Sequence, residues 1–228
     1  MRIFAVESSA RAASAAVCED GVLLGQYFLN SGFTHSVTLM CMARDLLRGL
    51  KLTAGDIDVF AAAGGPGSFT GIRIGVATVK GLAWGAGKRV CGVSTPEAMA
   101  WLPEAGNRII CPVMDARRGQ VYNAVFRRTD GAPARLCEDR AITIEELVGE
   151  AASARGGEEF VLIGDAAVMC LPRFLDAGLR ARVAPEAVRQ QCAFGVALAA
   201  ASYTPVSPGE LRPNYIRAPQ AERERPQV

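Results

Sequence analysis

The stretch from Val59 to Gly85, VFAAAGGPGSFTGIRIGVATVKGLAWG, constrains the fold more than any other part of this chain. It begins with an uncharged apolar run, which predicts a buried strand. The residues from Gly64 to Gly67 end that strand, because glycine and proline favour backbone angles that a strand does not use. Ser68 or Thr70 can then cap a helix, since a hydroxyl accepts from the free amides of the first turn. A strand, a glycine loop and a helix are therefore expected.

The glycine loop has two possible roles. The first is a phosphate site, because helix N-termini attract anions. However, the loop lacks the lysine of a Walker loop, and Thr70 stands where the dinucleotide fingerprint has its third glycine. A structural turn that packs the helix onto a sheet explains the spacing equally well. The residues concerned are Gly64, Gly65, Gly67, Ser68, Thr70, Gly71 and Arg73.

The predicted helix Gly71–Gly85 has a second, bare stripe besides its apolar one. Ala77, Gly81 and Gly85 follow one another at intervals of four residues, so they share one helix face. A glycine inside a helix costs about 1 kcal/mol relative to alanine. We therefore expect another backbone to approach this stripe closely. That backbone belongs either to a partner helix or to the protein's own sheet.

A second long helix is predicted from Phe33 to Leu50. Its apolar face at helical spacing comprises Leu39, Met40, Ala43, Leu46, Leu47 and Leu50. Further apolar residues lie off that face, so the helix is either buried on two sides or exposes surplus apolar surface to a partner. Under the second interpretation, the partner interface comprises Phe33, Val37, Cys41, Met42, Ala77, Gly81 and Gly85.

Composition and residue counts disfavour several function classes. The formal net charge of +2 gives no strong electrostatic case for wrapping nucleic acid. No apolar run approaches the roughly 20 residues of a membrane span, and the early acid Glu7 argues against a signal peptide. Seven scattered cysteines without a Cys-x-x-Cys pair favour reduced thiols in a cytoplasm. A single histidine, His35, precludes a cluster of histidine ligands from this chain alone.

Two other turns carry polar residues that could bind an ion or a phosphate. Glu7, Ser8 and Ser9 end the first predicted strand, and Asp115 and Arg117 follow a later one. Each has a structural alternative: Glu7 can cap local amides, and Asp115 can pair with Arg117 at the surface, where ion pairs contribute little. The residues alone leave both alternatives open.

The order of predicted elements indicates a mixed α/β sheet with helices on its faces. The breaker-rich segment Pro103–Asn107 is the best domain boundary. We therefore expect an N-terminal domain over 1–104, a second domain over 105–218 and a solvated tail over 219–228. In the second half, strands are predicted at Arg108–Met114, Gln120–Phe126, Leu136–Ile142 and Phe160–Ile163, and helices after Thr143 and over Val188–Ser202.

The segment GGPGSFTGIRIG resembles the signature of the TsaB (YeaZ) family, bacterial subunits needed to make threonylcarbamoyladenosine in tRNA. The similarity extends to VESSARAASAAVCEDG, THSVTLM, GVSTPEAMA, the Asp115–Arg117 turn and PNYIR, and it is thin between Thr129 and Pro208. The resemblance implies two RNase H-like domains of the actin/Hsp70 type, the second abbreviated. It also places Glu7 in the first phosphate loop, where these proteins often have aspartate.

For function, the resemblance implies a cytoplasmic, non-catalytic scaffold. It would pair with the catalytic paralogue TsaD, which modifies adenosine 37 of tRNA, and the ATPase TsaE would join the complex. The chain would form a homodimer when alone and would meet tRNA only through the complex. TsaD binds a metal through two histidines four residues apart, but here Leu39 follows His35 at that spacing. The resemblance thus implies no cofactor for this chain alone, with ATP or ADP and Mg²⁺ bound weakly or only within the complex.

An independent actin-like ATPase or kinase, or a glycopeptidase-like hydrolase, is the alternative function. A histidine-dependent triad would have to use His35, and a zinc protease needs more than one histidine. A kinase is disfavoured because the glycine loop has no lysine and no second glycine-rich segment for adenine is evident. The scaffold is therefore the favoured prediction.

Overall fold

The computed structural model of the protein describes residues 1–102, 107–129, 131–154 and 157–217. The predicted boundary between 104 and 105 and the predicted tail 219–228 lie outside these ranges. Two sheets flanked by helices confirm the predicted mixed α/β fold.

The first sheet is formed by the N-terminal part of the chain and has the strand order β3-β2-β1-β4-β5. Strands β1, β2 and β3 pair antiparallel, whereas β4 pairs parallel with β1 and with β5. Its strands are β1 Arg2–Glu7, β2 Ala13–Glu19, β3 Val22–Leu29, β4 Val59–Gly65 and β5 Arg89–Ser94. The helices connecting these strands, and the one that follows β5, are α1 His35–Gly49, α2 Phe69–Ala86 and α3 Thr95–Ala100.

The second sheet has the order β10-β7-β6-β11-β12, with β8 paired to β6 and β9 paired to β8. Its strands are β6 Arg108–Asp115, β7 Gln120–Asn123, β8 Phe126–Arg128, β9 Ala134–Arg135, β10 Arg140–Thr143, β11 Phe160–Ile163 and β12 Ala181–Val183. The helices of this half are α4 Ile144–Ser153, α5 Ala167–Asp176, α6 Glu186–Arg189 and α7 Ala193–Ala200.

Each face of the first sheet has its own apolar core, because alternate strand residues point to opposite faces. On one face, α1 and α2 cover Phe4, Val6 and Phe60. On the other face, α3 and α7 cover Ile3, Ala5 and a series of small residues. The sides of α1 and α2 that point away from the sheet are exposed to solvent.

The end of the described chain returns to the first sheet. The Ala193 amide at the start of α7 donates to Ser14 Oγ on β2 at 2.7 Å. Val206 and Val90 exchange two backbone hydrogen bonds of 2.9 Å along the outer edge of β5. Residues 193–214, assigned above to the second domain, therefore pack on the first sheet. The division of the chain into 1–104 and 105–218 does not follow this packing.

Three predicted elements differ in detail. The single strand expected over Gln120–Phe126 is divided into β7 and β8, and at the division the Asn123 side-chain amide donates to the carbonyl oxygens of Pro112 and Ala124. The helix expected over Val188–Ser202 is divided into α6 and α7 by an extended segment. The strand expected over Leu136–Ile142 is shorter and begins only at Arg140, as β10. The helix expected after Thr143 is confirmed as α4, which a capping box of Thr143 and Glu146 begins.

Candidate functional site

The glycine loop after β4 is held between two other backbone segments. A Cβ atom on Gly67 would lie 2.5 Å from the carbonyl oxygen of Ser9, and one on Gly65 would overlap the carbonyl oxygen of Asn214. Both glycines also have positive φ angles, +156° and +121°. The Ser68 amide donates to the Ser9 carbonyl at 2.6 Å, and the Asn214 amide donates to the Gly64 carbonyl at 2.7 Å. Only glycine fits at Gly65 and Gly67 without displacing a neighbouring backbone.

The first half of α2 packs directly on the end of β1. Ser68 is the N-cap and accepts from the Gly71 amide at 3.3 Å, whereas Thr70 is exposed. Ser8 Oγ donates to the Gly71 carbonyl at 2.9 Å. A side chain on Gly71 would overlap the Ser8 carbonyl, and one on Gly75 would lie 2.6 Å from Ser8 Oγ. Gly71 thus supplies the close backbone approach that the sequence led us to expect on the other stripe, and Gly75 makes room for the Ser8 side chain.

One side of the second half of α2 is exposed to solvent. A Cβ atom on Gly81 or Gly85 would have no neighbour within 4 Å, and Ala77 is exposed beside them. Trp84 lies on the same side of the helix and is 69% exposed. The bare stripe therefore belongs to the surface and does not pack on the protein's own sheet.

The outer side of α1 continues this apolar surface. Phe33 and Val37 are about two-thirds exposed, and Cys41 is also exposed. The prediction was wrong for Met42, which is buried in the core between α1 and the sheet, while Met40 is exposed in its place. We call the exposed set the helix face; it comprises Phe33, Val37, Met40, Cys41, Ala77, Gly81, Trp84 and Gly85.

A polar cleft of about 520 Å³ lies where the ends of the two sheets meet. The N-terminal part of the chain contributes Ser9, Gly67 and Ser68, and the second part contributes Asp115 and Arg117. Of the other predicted loop residues, Glu7, Ser8, Gly64, Gly65, Thr70, Gly71 and Arg73 do not line this cleft. None of the described residues that line it is a lysine. The structure thus brings together only part of the predicted set.

The Asp115–Arg117 turn is stabilised mainly by its own atoms. Asp115 Oδ1 accepts from the Arg117 amide at 2.7 Å, and Oδ2 lies 3.3 Å from Arg117 Nη1. The Arg117 side chain is 85% exposed, so this ion pair is a surface pair of small energetic value. This geometry agrees with the alternative in which Asp115 and Arg117 form an ion pair at the surface.

Glu7 is fully buried beneath the cleft. Its Oε1 atom accepts from the Ser9 amide, and Oε2 has no hydrogen-bond partner among the described residues. Burial raises the pKa of this carboxyl from 4.5 to about 7, and the nearby Asp165 adds to the rise. Burial also raises the pKa of Asp165. Within the described ranges, no group of three or more histidine, cysteine, aspartate or glutamate side chains is arranged to hold a metal ion.

An arginine–aromatic cluster closes one side of the cleft. The Arg73 guanidinium lies 3.6 Å from the centre of the Phe69 ring, and the Phe69 and Tyr215 rings are 4.7 Å apart. Arg73 Nε donates to Tyr215 Oη at 2.8 Å. Stacking of this kind is favourable for the planar guanidinium. Sequence reasoning did not pair Tyr215 with Phe69, because 146 positions separate them and no local pattern connects them.

His35 is a packing residue at the first turn of α1. Its Nε2 atom donates to the carbonyl oxygen of Ala10 at 2.7 Å, so the ring joins α1 to the loop after β1. Among the helices described, none is long and apolar enough to cross a membrane.

Comparisons with known proteins identify this arrangement. The family model for TsaD, tRNA N6-adenosine threonylcarbamoyltransferase, matches residues 31–201. The tRNA threonylcarbamoyladenosine biosynthesis protein TsaB of Escherichia coli is 34% identical over 72% of this chain and 71% of its own length. The TsaB of Bacillus subtilis is 30% identical over 64% of each chain. The structure of YeaZ from Pseudomonas aeruginosa superposes with a TM-score of 0.78 at 23% identity, covering 94% of this chain and 99% of that one.

These similarities define the class of protein and then the family. The family-model match over three-quarters of the chain places it among the TsaD-like proteins, and the superposition shows that it has the fold of YeaZ. Within that class, the chain belongs to the TsaB (YeaZ) family. The predicted resemblance is thereby confirmed.

The closely packed and the exposed glycines of α2 should respond in opposite ways to replacement by alanine, as measured by the free energy of unfolding. Gly71→Ala places a methyl group against the Ser8 carbonyl, so we expect a loss of about 2–3 kcal/mol in the free energy of unfolding. Gly81→Ala enters open space and improves helix propensity, so we expect a gain of up to about 1 kcal/mol. Urea denaturation of both variants measures this difference, and equal effects would contradict the assignment of the two faces.

Buried Glu7 predicts a loss of stability as the pH rises. The folded-state pKa is raised to about 7, so between pH 4.5 and 7 the folded protein keeps a proton that the unfolded chain releases. The free energy of unfolding therefore falls across this window, by up to about 3 kcal/mol. Glu7→Gln should remove most of this decline, while Glu145→Gln at an exposed position should keep it. Denaturation at pH 5 and pH 8 tests this, and a decline of wild-type size in Glu7→Gln would refute it.

Proposed function

We propose that this chain is a non-catalytic subunit in the synthesis of threonylcarbamoyladenosine at position 37 of tRNA, and that it pairs with and activates a TsaD protein. The names of its E. coli and B. subtilis relatives support the biosynthetic role. The observation that carries the pairing is the exposed helix face of α1 and α2. On this proposal, tRNA and the ATPase TsaE meet the chain within the complex, and the site of action is the cytoplasm.

The helix face has the properties of a protein interface. Large apolar side chains such as Trp84, Val37 and Phe33 are about two-thirds exposed, and monomeric proteins seldom expose such residues as a group. Gly81 and Gly85 offer bare backbone on which another helix can approach closely. A paralogue of similar fold would present two similar helices, and the two pairs would pack as a four-helix contact.

The cleft offers little catalytic chemistry of its own. Asp115 and Arg117 pair with each other, and Arg73, which stands outside the cleft lining, is held by Phe69 and Tyr215. His35 donates to a backbone carbonyl and does not line the cleft. These contacts support a scaffold in preference to an independent enzyme.

The isolated chain should not modify tRNA. Purified protein is incubated with threonylcarbamoyl-AMP and unmodified tRNA, and the nucleosides are then analysed by mass spectrometry. We expect no modified adenosine until a TsaD protein and the remaining subunits are added. Formation of the modified nucleoside by this chain alone would overturn the scaffold assignment.

Hydrolysis of ATP, or transfer of its phosphate as in a kinase, is the second candidate function, since a polar cleft between two sheets is present. The cleft-lining residues described include no lysine, and buried Glu7 carries a raised pKa, which disfavours its ionised form. We therefore propose weak binding of ATP or ADP with Mg²⁺ by the chain alone. Micromolar affinity in titration calorimetry would favour the enzyme instead.

Gly81→Arg tests the helix face directly. Because Gly81 lies in open space, the variant should fold normally by circular dichroism while its arginine obstructs a closely packed partner helix. We expect binding to a TsaD protein to weaken at least tenfold in a pull-down or calorimetric assay. Gly149→Arg is the matched control, because Gly149 is also an exposed helical glycine with open space around it. Equal binding by the two variants would place the interface elsewhere.

A further inference from the structure

A second cavity lies in the other half of the molecule, between α4 and the second sheet. Its volume is about 410 Å³, which falls within the range of about 300–1,000 Å³ typical of small-molecule sites. None of the described residues that line it lines the polar cleft or belongs to the helix face. We call this cavity the α4 pocket; its apolar wall includes Ile109, Cys111, Leu147, Ala151, Phe160 and Leu179.

Regular secondary structure brings the apolar side chains of this wall together. Ile109 and Cys111 are alternate residues of β6, so they share one face of the sheet. Leu147 and Ala151 are four residues apart on α4, so they share one face of the helix. All four residues are buried. Because the Ala151 side chain is a single methyl group, α4 does not fill the space beside the sheet as a larger apolar residue would.

Two ion pairs form part of the rim of the α4 pocket. Arg127 Nη2 lies 3.0 Å from Glu158 Oε2, and both residues line the pocket. Arg140 Nη2 lies 2.6 Å from Glu150 Oε2, and these two residues line it as well. Each pair balances its own charge, so neither supplies a net charge to a ligand.

Arg180, between α5 and β12, gives the rim one positive charge in excess. It is exposed, lines the pocket and forms no ion pair with another residue in the described ranges. Its Nη1 atom donates to the Gly157 carbonyl at 3.4 Å, which is longer than a normal hydrogen bond. The planar guanidinium therefore remains available, and its geometry matches that of a carboxylate.

We propose that the α4 pocket binds a small amphiphilic carboxylate. The apolar chain of the ligand lies against Leu147 and Ala151, and its carboxylate binds Arg180. An apolar wall with one convergent charged group is the usual composition of a small-molecule site. The pocket is separate from the helix face and from the polar cleft, so its occupancy does not depend on the proposed function.

Titration calorimetry of the full chain with decanoate tests the class of ligand. We expect saturable binding with a dissociation constant below ~100 µM. Octanoate should bind about tenfold more weakly, because it buries two methylene groups fewer. Decyltrimethylammonium, which has a chain of the same length and the opposite charge, should not bind at this site, because Arg180 repels it.

Two pairs of variants test the position of the ligand. Arg180→Gln should weaken decanoate binding about tenfold, whereas Arg173→Gln, at an exposed position of α5 outside the pocket, should leave it unchanged. Leu136→Asp places a like charge at the rim and should also weaken binding about tenfold. Leu175→Asp is its matched control, because Leu175 lies outside the pocket. Leu136 and Leu175 are 48% and 52% exposed, so both variants should fold.

Alkylation of the wild-type protein locates the ligand without any substitution. Half-buried Cys137 lines the α4 pocket, whereas exposed Cys41 lies on the helix face. Saturating decanoate should slow the reaction of Cys137 with iodoacetamide several-fold and leave that of Cys41 unchanged. Mass spectrometry of the digested protein measures both rates.

Four results would each overturn the proposal. The first is a wild-type protein that does not bind decanoate up to ~1 mM. The second is equal affinity for decanoate and decyltrimethylammonium. The third is wild-type affinity for decanoate in Arg180→Gln or Leu136→Asp. The fourth is a rate of Cys137 alkylation that saturating decanoate does not change.

Discussion

The structure depends on the close contact of three backbone segments around the glycine loop. The Ser8–Ser9 turn lies on one side of the loop and Asn214 lies on the other, and glycine is the only residue that fits between them at Gly65 and Gly67. Gly71 extends the same contact into the first turn of α2. This packing connects β1, α2 and the end of the described chain. It accounts for the glycines at positions 65, 67 and 71 by close contacts between backbones.

The packing of the first half of α2 against β1 determines which surfaces of the molecule are exposed. The second half of the helix then projects Gly81, Gly85 and Trp84 into solvent beside the outer side of α1. At the other end, Phe69 and Tyr215 stack with Arg73 and occupy one side of the cleft. The accessible chemistry of the chain thus lies on its helix face more than in its cleft, which agrees with a partner-binding role.

Local chemistry in the sequence was enough to predict the strand, loop and helix around Gly64–Gly85, since glycine, proline and capping residues act over a few positions. It was not enough to predict which of Met40 and Met42 is buried. Both lie at the margin of the apolar face, and only packing on the sheet decides their burial. The Tyr215–Phe69 contact and the return of α7 to the first sheet are long-range. They depend on tertiary packing, which periodicity cannot predict from one sequence.

Hydroxyl-radical footprinting of this chain, alone and with a TsaD protein, would test the central claim most directly, because it measures side-chain exposure in solution. Trp84 and Met40 are exposed on the helix face, and Met169 is half exposed on α5, so it serves as an internal control. The account predicts that the partner reduces oxidation of Trp84 and Met40 and leaves Met169 unchanged. Unchanged oxidation of Trp84 and Met40 in a formed complex would contradict it.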